Sequence, residues 1–62
     1  MIVDIYKLDG SHDIYHYVRT FRLREEALYL DCYAYREHYR ETIPRKDIVC
    51  FTVHLRNKVG RL

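Results

Sequence analysis

Residues 48–56, IVCFTVHLR, carry the cleanest pattern in the chain. Val49, Phe51, Val53 and Leu55 fall on one side of an extended backbone, and Ile48, Cys50, Thr52, His54 and Arg56 on the other. Side chains alternate across a strand, so period two among β-branched and aromatic residues predicts a strand with one buried face. Residues 2–9, IVDIYKLD, read as a strand that opens the fold. Asp9-Gly10-Ser11 follows as a turn, because Asp-Gly supplies the positive φ that a tight hairpin needs. Residues 13–23, DIYHYVRTFRL, predict one long second strand. Its faces are Ile14, His16, Val18 and Thr20 on one side and Tyr15, Tyr17, Arg19, Phe21 and Leu23 on the other.

Residues 24–41 admit two readings. Ala, Leu, Glu and Arg are good helix formers, with Glu25 and Glu26 suited to a helix start and Arg36 and Arg40 to its end. Yet no capping residue stands directly before Glu25, and the stretch ALYLDCYAY at 27–35 has Asp31 as its one strongly polar position. A helix there would be apolar nearly all round, which a chain this small cannot cover. As a strand the stretch divides cleanly. Leu28, Leu30, Cys32 and Ala34 face the core, and Ala27, Tyr29, Asp31, Tyr33 and Tyr35 face outward. Arg24-Glu25-Glu26 then forms the preceding turn, residues 36–38 the next, and Tyr39–Ile43 a short fourth strand that Pro44 ends. The fold expected is a single all-β domain over residues 1–62. It is a five-stranded antiparallel meander, curled into a curved sheet or an open barrel. The alternative is an α+β arrangement, ββαβ, with a helix at about 24–41. The expected core is Val3, Ile5, Val18, Leu28, Leu30, Val49, Phe51, Val53 and Leu55.

Length changes this picture. A chain of 62 residues buries only about 60% of the surface its unfolded form exposes, so a lone copy is marginal and a homodimer is expected. Composition changes it further. Seven residues are Tyr, against two Phe and no Trp. Tyr combines an apolar ring with a polar tip and suits half-buried surfaces and interfaces. A domain of this size cannot bury them all and satisfy every hydroxyl, so part of the set is expected on an exposed binding face. The residues assigned to that face are Tyr15, Tyr17, Arg19, Tyr29, Tyr33 and Tyr35.

Charge excludes some functions and weakens others. The net charge is +2, from eleven Lys and Arg against nine Asp and Glu, with a pI near 8.6. Domains that wrap duplex DNA show a higher pI and a stripe of one sign, whereas the bases here come in small groups: Arg19, Arg22 and Arg24; Arg45 and Lys46; Arg56, Lys58 and Arg61. Met1-Ile2-Val3-Asp4 lacks the basic start and apolar run of an export signal, and no apolar run reaches the ~18 residues a membrane span needs. A cytoplasmic location is therefore expected, with Cys32 and Cys50 reduced.

Chemistry-bearing patterns are sparse. His12 and His16 stand four apart, but on a strand that spacing sets them about 13 Å apart, and no Cys-x-x-Cys is present, so no metal site is expected. Cys32 or Cys50 beside a His is the nucleophile–base pairing to weigh; Cys32 lies on the expected core face, and Cys50 with His54 on one strand face is more simply its wet side. Neither glycine lies in a phosphate-binding loop, and so small a domain leaves little room for a pocket of the usual ~300 Å³ or more. No enzyme activity and no cofactor are expected. Two binding functions remain. One is a non-catalytic protein-interaction module, a small regulator or inhibitor of the kind that phages encode to block a host protein. The other is a single-strand nucleic-acid binder that stacks bases on Tyr. Arg outnumbers Lys eight to three, which suits a protein interface. Asp31 in the middle of the tyrosines opposes phosphate binding.

Overall fold

The computed structural model describes residues 1–55. Arg56, the last residue of the predicted final strand, and the basic pair Lys58 and Arg61 lie outside them. The fold is all-β, and residues 24–41 contain no helix. Six strands form it: β1 Ile2–Lys7, β2 His12–Tyr15, β3 Val18–Leu23, β4 Ala27–Ala34, β5 Glu37–Pro44 and β6 Ile48–His54. They make two antiparallel three-stranded sheets, ordered β2-β1-β6 and β3-β4-β5, in place of one five-stranded meander. The sheets are not closed into a barrel.

The predicted second strand supplies both sheets. It breaks at His16 and Tyr17, after which β3 pairs with β4 while β2 stays with β1. The break also resets the faces. Tyr15, opposite Val3, packs on the core, and so does Val18, which simple alternation had placed on the other side. A second reset follows, because Val18 pairs with Cys32 and Thr20 with Asp31, leaving Arg19 as the extra residue of a bulge. A bulge inserts one residue and so shifts every later side chain to the other face. Phe21 and Leu23 therefore return to the core side, opposite Leu30 and Leu28.

Two of the turns follow local chemistry. Gly10, at φ 90, makes the β1–β2 hairpin, where the Ser11 N–H donates to Asp9 Oδ1 at 2.8 Å. Arg24–Glu26 turns as predicted, with the Arg24 N–H donating to the Ala27 carbonyl at 2.9 Å. The next turn falls earlier than predicted, at Tyr35 and Arg36, both left-handed at φ 55 and φ 66. Asn-Gly normally fills such a turn, so the sequence carried no signal for it. Consequently β5 begins at Glu37 and is eight residues long. A single 3-10 turn, Arg45–Asp47, carries the chain from β5 back to the first sheet. It is held by the Arg45 N–H on the Glu26 carbonyl at 3.0 Å and by the Leu8 N–H on the Asp47 carbonyl at 2.9 Å.

The core lies between the sheets. Val3 and Ile5 from the first meet Val18, Leu28, Leu30, Cys32 and Ile43 from the second. Met1, Tyr15, Ile48, Phe51 and Val53 close around them, half-buried. Phe21 meets Phe51 edge-to-face at 6.0 Å across the gap between sheets. Two residues expected in the core are exposed instead: Val49 (61%) and Leu55 (79%). The physical reason for Val49 is a bulge. Tyr6 pairs with Cys50 and Lys7 with Ile48, so Val49 is the unpaired residue and Ile48 takes the inward position. Leu55 lies one residue past the end of β6, and among the described residues the β1–β6 pairing stops at His54.

Candidate functional site

The outer face of β3-β4-β5 brings most of the predicted site together. On β4, Leu28, Leu30, Cys32 and Ala34 are buried, which turns Tyr29, Asp31 and Tyr33 outward; Ala27, expected on the outward face, is buried instead at the start of the strand, where it pairs with Pro44 beside the Arg45–Asp47 turn. The register then sets three cross-strand rows. Arg22, Tyr29 and Thr42 form one, Thr20, Asp31 and Arg40 the next, and Tyr33 with His38 the third. Arg19, displaced by its bulge, brings its guanidinium 6.0 Å from the centre of the Tyr33 ring, and Arg40 lies 5.9 Å from the centre of Tyr29. His38, opposite Tyr33 on β5, brings its ring to 4.6 Å from the same Tyr33 ring. At the end of the face Tyr17 meets Tyr35 edge-on at 6.1 Å, and Tyr35, at the tip of its left-handed turn, is 88% exposed.

Asp31 sits in the middle row with its charge answered. The Arg40 Nε–H donates to one carboxylate oxygen at 3.2 Å and the Thr20 hydroxyl to the other at 3.1 Å. These bonds, that of Arg40 first, hold the Asp31 carboxyl below the usual carboxylate range. Tyr29 is anchored at its tip, since its hydroxyl donates to Glu26 at 2.7 Å. That bond pushes the Tyr29 hydroxyl up and holds the Glu26 carboxyl down. The face is therefore ordered by its own cross-strand contacts, and such cross-strand pairs are what stabilise a sheet surface.

Five of the six predicted residues, Tyr17, Arg19, Tyr29, Tyr33 and Tyr35, belong to this surface. Tyr15 does not: it is half-buried on the core side of β2, and burial pushes its hydroxyl up. Sequence reading missed Thr20, Arg22, His38 and Arg40. The last two enter through the β4–β5 register, which rests on a turn of two non-glycine residues that nothing in the local sequence announces. A depression of about 500 Å³ opens beside the middle row, lined by Arg19, Thr20, Asp31, Cys32, His38, Tyr39 and Arg40. It is larger than expected for so short a chain. Its cysteine is buried, and burial pushes that thiol up, contrary to what an activated nucleophile needs.

The first sheet carries a smaller polar cluster on its outer face. Asp4 receives His54 Nε2 at 2.9 Å and lies 3.5 Å from His12 Nε2. His12 stacks on Tyr6 with ring centres 4.2 Å apart, and Thr52 Oγ1 lies 3.3 Å from His54 Nε2. His54 is thus engaged with Asp4 and Thr52. Among the described residues no group of three or more His, Cys, Asp or Glu is placed to hold a metal ion, and no helix is long and apolar enough to cross a membrane. Both cysteines are free. No family model matches the chain, and no curated protein and no solved structure was found to be similar to it.

Proposed function

We propose that this chain is a non-catalytic protein-interaction module, a small cytoplasmic regulator or inhibitor that docks on a larger protein through the Tyr/Arg face of β3-β4-β5. The observation that carries the reading is the pairing of Arg19 with Tyr33 and of Arg40 with Tyr29. These contacts cover part of each ring, and Arg40 is further committed to Asp31. The surface thus presents preformed Tyr and Arg knobs of mixed charge, the side chains most enriched at protein interface hot spots. Tyr also loses little conformational entropy on binding.

A second reading, single-stranded nucleic acid, is favoured by one observation. Arg19, Arg22 and Arg40 share this face with Asp31, so it is more basic than the sequence suggested. Base stacking on Tyr contributes about 1–3 kcal/mol per base, but phosphate contacts dominate such affinities and make them fall steeply with salt.

The test is a pull-down from lysate with and without nuclease, using the parent and Tyr33→Ser/Asp31→Lys. A protein partner is retained after nuclease, changes little between low and physiological salt, and is lost with the double variant while circular dichroism stays that of the parent. Tight, salt-sensitive binding of labelled single-stranded DNA or RNA, tightened further by Asp31→Lys alone, would replace the protein reading with the nucleic-acid one.

A further inference from the structure

Four strands end the two sheets: β2 and β6 in the first, β3 and β5 in the second. An edge strand offers unpaired N–H and C=O groups, and proteins blunt such edges with shortness, charge, proline or bulges. Three of these edges are blunted. β2 has four residues and carries His12 and Asp13. β3 carries Arg19 and Arg22 and is bulged at Arg19. β5 carries Glu37, Arg40 and Glu41 and ends in Pro44. β6 differs. Its seven residues, IVCFTVH, include no Asp, Glu, Lys, Arg or Pro, and its bulge at Val49 lies at its start. Among the described residues, no strand pairs with its second edge. A cleft of about 410 Å³ runs beside it, lined by Leu23, Ile48, Val49 and Phe51 with Arg45 and Cys50.

We infer that β6 pairs antiparallel with β6 of a second copy across a two-fold axis, joining the two β2-β1-β6 sheets into one of six strands. Charge sets β6 apart, because it is the one edge strand of the four with no net fixed charge. A two-fold axis sets a strand against itself, so any net charge on an edge is doubled at the interface. β3 would oppose its arginines to one another, and like charges across a pair destabilise it. β6 brings no fixed charge to the pairing. Phe51 is the middle residue of Ile48–His54, so an axis there pairs the whole strand. Val49 then lies opposite the partner's Val53, and Cys50 opposite the partner's Thr52. The exposed Val49 gains cover. In this register the two Cys50 residues are diagonal neighbours, about 7–8 Å apart. The inference is independent of the Tyr/Arg face, which lies on the other sheet.

Sedimentation equilibrium over a range of concentrations tests it, together with cross-linking of Cys50 by a short bis-maleimide. The parent should sediment at twice the 7.7 kDa chain mass and cross-link through Cys50. Thr52→Lys sets two cations on diagonal positions at the seam and should give a monomer with the parent's circular dichroism. Val49→Lys, at a site exposed in the single copy, should do the same if Thr52→Lys fails to fold. Thr42→Lys, the same change on the β5 edge, should leave the dimer intact. A parent that stays monomeric overturns the inference and leaves the edge for an extended segment of another protein. So does a dimer that survives both β6 variants, breaks with Thr42→Lys, or does not cross-link through Cys50.

Discussion

In β4 every second residue from Leu28 to Ala34 is buried, whereas in β6 none of the seven residues from Ile48 to His54 is. Both stretches carry the same period-two pattern. What differs is their surroundings. β4 is the centre of its sheet, paired on both sides, and its inner face is roofed by Val3 and Ile5. β6 is an edge, bulged at Val49, and its inner residues Ile48, Phe51 and Val53 are half-wet. Alternation thus reports which way a side chain points, and neighbours decide how deeply it is buried.

Truncation on the two strands should separate them most. Leu30→Ala removes a fully buried side chain and should cost about 2–5 kcal/mol, enough to unfold much of so small a domain. Phe51→Ala removes a larger side chain that is only half-buried and should cost about 1–2 kcal/mol. Urea midpoints measure both, and a larger loss at Phe51 would break the comparison.

Each strand also carries one cysteine, and the two should differ in reactivity. Cys50 is exposed and should be alkylated at once at mildly basic pH. Cys32 is buried, with its thiol donating to the Leu30 carbonyl at an Sγ–O distance of 3.9 Å, and should react only when the domain opens, about 10³-fold more slowly. Mass spectrometry of a timed reaction reads the ratio. Equal rates would mean that β4 is as open as β6.

The smallest effect expected is on the outer face of β4. The folded Asp31 carboxyl is held below its ordinary value, so its contribution is complete above the unfolded value and is lost as pH falls through the folded one. Asp31→Asn should therefore flatten the acid limb of stability below about pH 4 and leave neutral pH little changed. No comparable acid group lies on β6, where the outer residues are Cys50, Thr52 and His54. Urea melts from pH 5 downward check it, and an unchanged acid limb would show that Asp31 is not held by Arg40 and Thr20 in solution.

Local propensity, and period two over an unbroken strand, were enough to read the strand character of the chain, the Asp9-Gly10 and Arg24–Glu26 turns, and the faces of β4 from Leu28 to Ala34; Ala27, expected outward, is buried. The same pattern in β4 set Tyr29 and Tyr33 outward around Asp31. The remaining features came from pairing and packing. The break at His16 and Tyr17 split one predicted strand between two sheets and carried Tyr15 to the core. The bulges at Arg19 and Val49 exchanged faces, which no local pattern announces, because the extra residue is defined by the opposite strand. The left-handed Tyr35-Arg36 turn set the register that brings Arg40 to Asp31 and His38 to Tyr33. Each of these depends on contacts between residues distant in sequence, and such contacts exist only once the sheets have paired and packed.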